Sequence, residues 1–147
     1  MATAQMRQHW VAIAQGMQAD IQGYEQLRLL LKAQFHAALR HDATAMEQVA
    51  LQIAAQAQLL GQSTEGRVLH VRALLGSGQH VSMSAVFMQL KAPLQQQMQA
   101  LWAQLEALVQ ECKAMNLRNC QLIMEQAELM RQVVGGSAQQ EMIYGPR

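Results

Sequence analysis

Between Ala4 and Leu39 the apolar residues Met6, Trp10, Ile13, Met17, Ile21, Tyr24, Leu27, Leu31, Phe35 and Ala38 follow one another in steps of three and four. That spacing lays a single apolar stripe along a helix, about 54 Å long at ~1.5 Å per residue. A helix of this length in a chain of 147 residues belongs to an elongated bundle. The stretch "LRHDATAMEQ" breaks the pattern and restarts it. Asp42 can cap a second helix, and so can Thr44, which has Glu47 three residues on in a capping box. The second stripe comprises Met46, Val49, Ile53, Ala57, Leu60, Val68, Val71 and Leu75. It thins at "GQSTEG", where a continuous helix is expected over a kink.

The paired glycines of "GSGQH" (76–80) mark a loop. "VSMSAVFMQL" then reads as a short helix capped by Ser82, with Val81 and Val86 placed as a hydrophobic staple. Pro93 suits the first turn of the last helix. From Leu94 the steps run four, three, four, three through Met98, Leu101, Leu105, Leu108, Cys112, Met115, Asn119, Leu122, Gln126, Leu129 and Val133. This is a sustained heptad seam of the left-handed coiled-coil type. Trp102, Val109, Ile123 and Met130 widen it. Gly135 and Gly136 then interrupt the pattern. The reading is all-α: an elongated antiparallel bundle of three long helices and one short one over residues 1–134, followed by a flexible tail, 135–147.

Composition agrees. Charged residues make up 14% of the chain and aromatics 4%, so the polar surface rests on glutamine, a good helix former, while strand formers are scarce and dispersed. The formal net charge is +1, with acids and bases intermixed along the chain and no Lys/Arg cluster. Neither a nucleic-acid footprint nor a polybasic membrane patch is present in the sequence. No apolar run approaches the ~20 residues of a bilayer span, and the N-terminus lacks the pattern of a secretory signal. The expected location is cytoplasmic.

Chemistry is sparse. No carboxylate is expected on the apolar stripes, so no acid/base pair aims inward. His9, His36, His41, His70 and His80 lack the spacing that builds metal sites in helical bundles and read as surface or loop residues. There is no phosphate loop and no nucleophile elbow. Catalysis, metal and cofactors are not expected. Cys112 and Cys120 lie about 12 Å apart along one helix axis, too far to bridge, and read as buried structural thiols. Most of the eleven methionines fall on the stripes, but Met124, Met130 and Met142 gather toward the end. Asn119 and Gln126 interrupt the last seam, either to fix register or because the seam is exposed there. Both readings give the helix less company beyond about residue 115. An under-covered, Met-containing helix suits recognition of another helix.

At "MNLRNCQLI" (115–123), followed at a distance by "IYGP", the chain resembles the FlgN family of flagellar type III export chaperones. The likeness lies in length, in Gln/Leu-rich long helices, in the pair Asn116 and Asn119 ahead of Leu122 and Ile123, and in Tyr144-Gly145. It also includes the helix break "RHDATAME". The second helix departs from it, having "IAAQAQLL" where a basic residue often stands. The resemblance implies a cytoplasmic protein that binds hook–filament junction proteins of the FlgK and FlgL type and escorts them to the export gate, without nucleic acid, membrane insertion or cofactor. Asn116, Asn119, Leu122, Ile123, Gln126, Leu129, Met130 and Val133 are then the expected client-binding residues. Met142, Ile143 and Tyr144 are the expected contacts with the gate's cytoplasmic domain. A structural coiled-coil adaptor or scaffold is the alternative, and monomer and dimer both remain open.

Overall fold

A computed structural model describes residues 2–144 except 77 and 79, with side-chain surroundings described for residues 3–135 apart from the same two. Four helices follow in chain order: α1 (Ala2–Leu39), α2 (Ala43–Leu75), α3 (Met83–Phe87) and α4 (Leu94–Tyr144). No strand occurs among the described residues.

Local chemistry sets most of the boundaries. His41 takes a left-handed backbone, φ 56°, which reverses the chain after α1. The Asp42 carboxylate then accepts from the Ala45 amide at 3.1 Å; Asp42 caps α2, and Thr44 lies inside it. α2 is continuous through "GQSTEG", as expected. It ends at Gly76, φ 86°, whose N–H bonds to the Arg72 carbonyl. Ser82 caps α3 by accepting from Ala85. Val86 is buried and the half-buried Val81 packs on the same core, which completes the expected staple.

The largest departure is at the far end. α4 passes through Gly135 and Gly136 and continues to Tyr144, where the sequence pattern set a boundary between bundle and tail. Two helical glycines cost about 1 kcal/mol each relative to alanine, and the Ser, Ala, Gln and Glu that follow impose no break of their own.

α1 is the hub. It packs against both α2 and α4. α1 and α2 are antiparallel: His9 meets His70, and the Gln56 amide donates to the Gly23 carbonyl. The helices approach closely there, since a Cβ on Gly23 would stand 2.8 Å from Cδ2 of Leu60. α1 and α4 are parallel, so the long helices run up, down, up. α3 plugs one end: Val86 and Phe87 are fully buried, and Phe87 stacks on Trp10 with ring centroids 6.4 Å apart. The amides of Gln89 and Gln95 tie this plug to the carbonyls of Leu74 and Phe87.

The main core gathers at that end, with Ile13, Met17, Ile21, Val71, Leu74, Met98, Leu105 and Leu108 around the α3 residues. Each large aliphatic side chain removed from water there contributes about 1.5–3 kcal/mol. One carboxylate belongs to this interior, against expectation. Asp20 is 3% exposed and pairs with Arg67 of α2, while Arg67 also stands 5.5 Å above the Trp102 ring of α4. Asp20 lies three residues after Met17 and four before Tyr24. It is therefore on a heptad line of α1 that the broader apolar stripe, drawn through Ile21, obscured.

Candidate functional site

Three α4 side chains reach α1 backbone carbonyls at one constant offset. Cys112 Sγ donates to the Tyr24 carbonyl at 3.5 Å. The Asn119 amide donates to Leu31 at 2.8 Å and to Gln34 Oε1 at 2.9 Å. The Gln126 amide donates to Ala38 at 2.9 Å. Each carbonyl lies 88 residues before its donor, so the seams of the two helices run in matched heptads. The polar interruptions at 119 and 126 thus act as pegs between α1 and α4. Asn119 is fully buried, and a slip of register would leave its amide unsatisfied, at about 1–3 kcal/mol.

That offset also fixes where α4 loses its partner. Leu39, the last residue of α1, stands level with Ala127, and α4 continues over residues 128–144, about 25 Å further. Among the residues of the extension whose surroundings are described, the large apolar ones are exposed: Leu129 61%, Met130 64%, Val133 64% and Val134 63%. At ~100° per residue they share one face with the half-buried Leu122 and Ile123. Nearby, Glu128 and Arg131 form a solvent-exposed pair at 2.7 Å, of a kind that contributes little.

The expected residues thus divide. Leu122, Ile123, Leu129, Met130 and Val133 form one continuous apolar face. Asn119 faces α1, Gln126 is half-buried and bonded to it, and the exposed Asn116 lies beside Cys120. The side chains of Met142, Ile143 and Tyr144 lie outside the described residues.

Of the two cysteines, Cys112 is buried, and Cys120, expected to be buried, is exposed. Burial pushes the Cys112 thiol up, with the Glu111 carboxylate adding to the effect and Arg28 opposing it. Burial also raises the Tyr24 phenol; Asp20 and Cys112 reinforce the shift and Arg67 opposes it. Sequence periodicity did not disclose the contact between His9 and His70, whose Nδ1 atoms are 2.9 Å apart. Both are half-buried, and only their pairing on the antiparallel α1 and α2 brings them together. Among the described residues no group of three His, Cys, Asp or Glu converges on a point that could hold a metal. No described helix is long and apolar enough to cross a membrane.

No curated protein and no solved structure matches the chain. A family model described as FlgN protein matches residues 6–147, essentially its whole length. The family is one of flagellar export chaperones rather than enzymes, which agrees with a site made of an uncovered apolar helix face. On that match, the chain belongs to the FlgN family.

Proposed function

We propose that the protein is a cytoplasmic chaperone that binds hook–filament junction proteins of the FlgK and FlgL type and escorts them to the type III export gate. The observation that carries this reading is the exposed apolar face of α4 beyond the end of α1. A helical terminal segment of a client can lie along it, packed on Leu129, Met130 and Val133, with Leu122 and Ile123 extending the contact toward the bundle. Asn119 and Gln126 hold α4 in register against α1, so that the same seam runs on past the end of α1 with its apolar residues uncovered. Met142, Ile143 and Tyr144 are proposed to meet the gate's cytoplasmic domain.

Calorimetric titration of a junction protein's helical terminal segment tests the reading. Leu129→Ala, Met130→Ala and Val133→Ala together are expected to weaken binding by ~100-fold, near 3 kcal/mol, while the helical signal survives. Unchanged affinity would put the client elsewhere. Tyr144→Ala is expected to leave client affinity within a few-fold and to weaken capture of the loaded chaperone by the gate domain; equal capture leaves Tyr144 without that role. The heptad spacing of the exposed face also suits pairing between two copies, the scaffold reading. Sedimentation equilibrium separates the two: a stable dimer that excludes client supports the scaffold, and a monomer that binds it supports the chaperone.

A further inference from the structure

The opposite end of the bundle has a distinct character. No Asp or Glu occurs in residues 1–19 or 66–105, which together contain Arg7, Arg67, Arg72 and Lys91. The antiparallel packing of α2 and the parallel packing of α4 on α1 bring these two stretches to the same end. The two acid-free stretches, far apart in the chain, are therefore gathered in space. Arg67 is neutralised by Asp20. Arg7, Arg72 and Lys91 are exposed and make no ion pair among the described residues. The nearest carboxylates inward are Asp20, Glu65 and Glu106, and none of them lines the cavity at this end.

That cavity opens between α1 and the start of α4. Trp10, Val11, Ala14, Leu90, Leu94 and Met98 line it, with Arg7 also on its wall, and it measures about 210 Å³. Small-molecule sites run from about 300 Å³ upward, so this one suits a single large apolar side chain. Val11 and Leu94 are each about half exposed, at 47% and 48%, so the apolar lining reaches the surface beside the cations.

We infer that this end of the bundle is a second docking surface, for an acidic amphipathic helix of a partner protein. One apolar anchor of that helix enters the cavity between Trp10, Ala14 and Met98, and its carboxylates face Arg7 and Lys91. Charge decides the partner's sign: unpaired cations without a nearby carboxylate attract an acidic ligand and repel a basic one. Number decides its class. Lipid-binding patches cluster some 4–8 Lys/Arg, whereas this end presents three unpaired ones, of which Arg7 lines a pocket fitted to one side chain and Lys91 follows its lining residue Leu90 in sequence. Met98 and Leu129 are about 46 Å apart along α4. The second partner and a client on the far face can therefore be held together without steric conflict.

The test uses the full chain and two labelled helical peptides with the same apolar face, one carrying Glu and the other Lys on its polar face, followed by fluorescence anisotropy. The acidic peptide is expected to bind at least ~10-fold tighter at low salt, with the difference shrinking as salt rises. Arg7→Glu with Lys91→Glu is expected to reverse the preference. Ala14→Met, which fills the cavity, is expected to weaken acidic-peptide binding without changing its salt dependence; Leu94→Ser makes the same test at an exposed wall should Ala14→Met disturb folding. The variant altered at Leu129, Met130 and Val133 is expected to bind the acidic peptide normally, so this surface stands or falls separately from the client face. Equal binding of the two peptides, no binding, loss of binding in that variant, or association with anionic vesicles in place of the acidic peptide would each overturn the inference.

Discussion

The first two-thirds of α4 and its last third share one heptad line but differ in surroundings. From Met98 to Asn119 the line passes through Leu105 at 2% exposure and Asn119 at 0%, whereas Leu129 and Val133 on the same line are at 61% and 64%. The pattern of α4 does not change at residue 127; the length of α1 does. A seam in one helix states only that a partner can be received. Whether that partner is intramolecular depends on where the neighbouring helix ends, here at the turn through His41 and Asp42. The covered part behaves as core, and the uncovered part is available to another chain.

The largest effect is expected where the covered region holds a charge. Asp20→Ala leaves Arg67, whose side chain is 10% exposed, without its carboxylate between α1, α2 and α4. Breaking one partner of a buried pair costs about 3–5 kcal/mol, so urea unfolding should show a loss of that size. A loss near zero would mean that water already reaches the pair and that the covered region is less closed than its apolar neighbours indicate.

Leucine at two positions of the same seam gives the most direct comparison. Leu105→Ala opens a cavity in the core and should cost about 2–5 kcal/mol. Leu129→Ala removes a side chain already in solvent and should change stability by less than about 0.5 kcal/mol. Similar losses at the two sites would show that α4 is covered throughout. Asn119→Ala should fall between them, at about 1–3 kcal/mol, because it removes the peg to Leu31 and Gln34 without emptying a large volume.

The cysteines sharpen the comparison by reactivity. In the native protein at neutral pH, an alkylating reagent should modify Cys120 first and Cys112 only on unfolding, read by mass spectrometry. Burial holds the Cys112 thiol above its ordinary value of about 8.5, so the folded state keeps a proton that the unfolded state releases as pH rises. Stability linked to Cys112 is therefore fully present below that value and declines above it. Cys112→Ala should flatten the decline, and an unchanged slope would assign it to other groups such as Tyr24.

Much of this organisation was legible in the sequence. Steps of three and four located all three long helices, Ser82 located the short one, and the heptad seam identified α4 as a helix with one strongly specified face. Asn119 and Gln126 in the seam are compatible with pegs or with exposure, and the geometry supports the first. What one sequence withholds is the alignment between helices. The 88-residue offset, the burial of Asp20 against Arg67, the contact of His9 with His70 and the gathering of Arg7, Arg72 and Lys91 at one end all depend on it. The Gly135–Gly136 pair misled for a different reason. Glycine weakens a helix by an amount its neighbours can override, so it signals a boundary only where another feature, such as the positive φ of Gly76, requires the chain to turn.

The smallest expected effect separates cooperative core from independent extension. Gly61 in α2 and Gly135 in α4 are both helical, and a Cβ added at either would meet nothing within 4 Å. Replacing glycine by alanine at an exposed helical site contributes about 0.8–1 kcal/mol, by the same physics in both places. α2 unfolds with the bundle, so Gly61→Ala should raise the global unfolding free energy by roughly that amount. Among the described residues the extension of α4 has no partner helix, and its opening is a local event whose free energy lies below the global one. Gly135→Ala should therefore leave the thermal midpoint almost unchanged while slowing hydrogen exchange of nearby amides about four- to fivefold, the equivalent of the same ~0.8–1 kcal/mol. If Gly135→Ala raised the midpoint as much as Gly61→Ala, the extension would belong to the cooperative unit. Residues 128–135 would then have to be covered in the free protein, and the contrast between the two parts of α4 would fail.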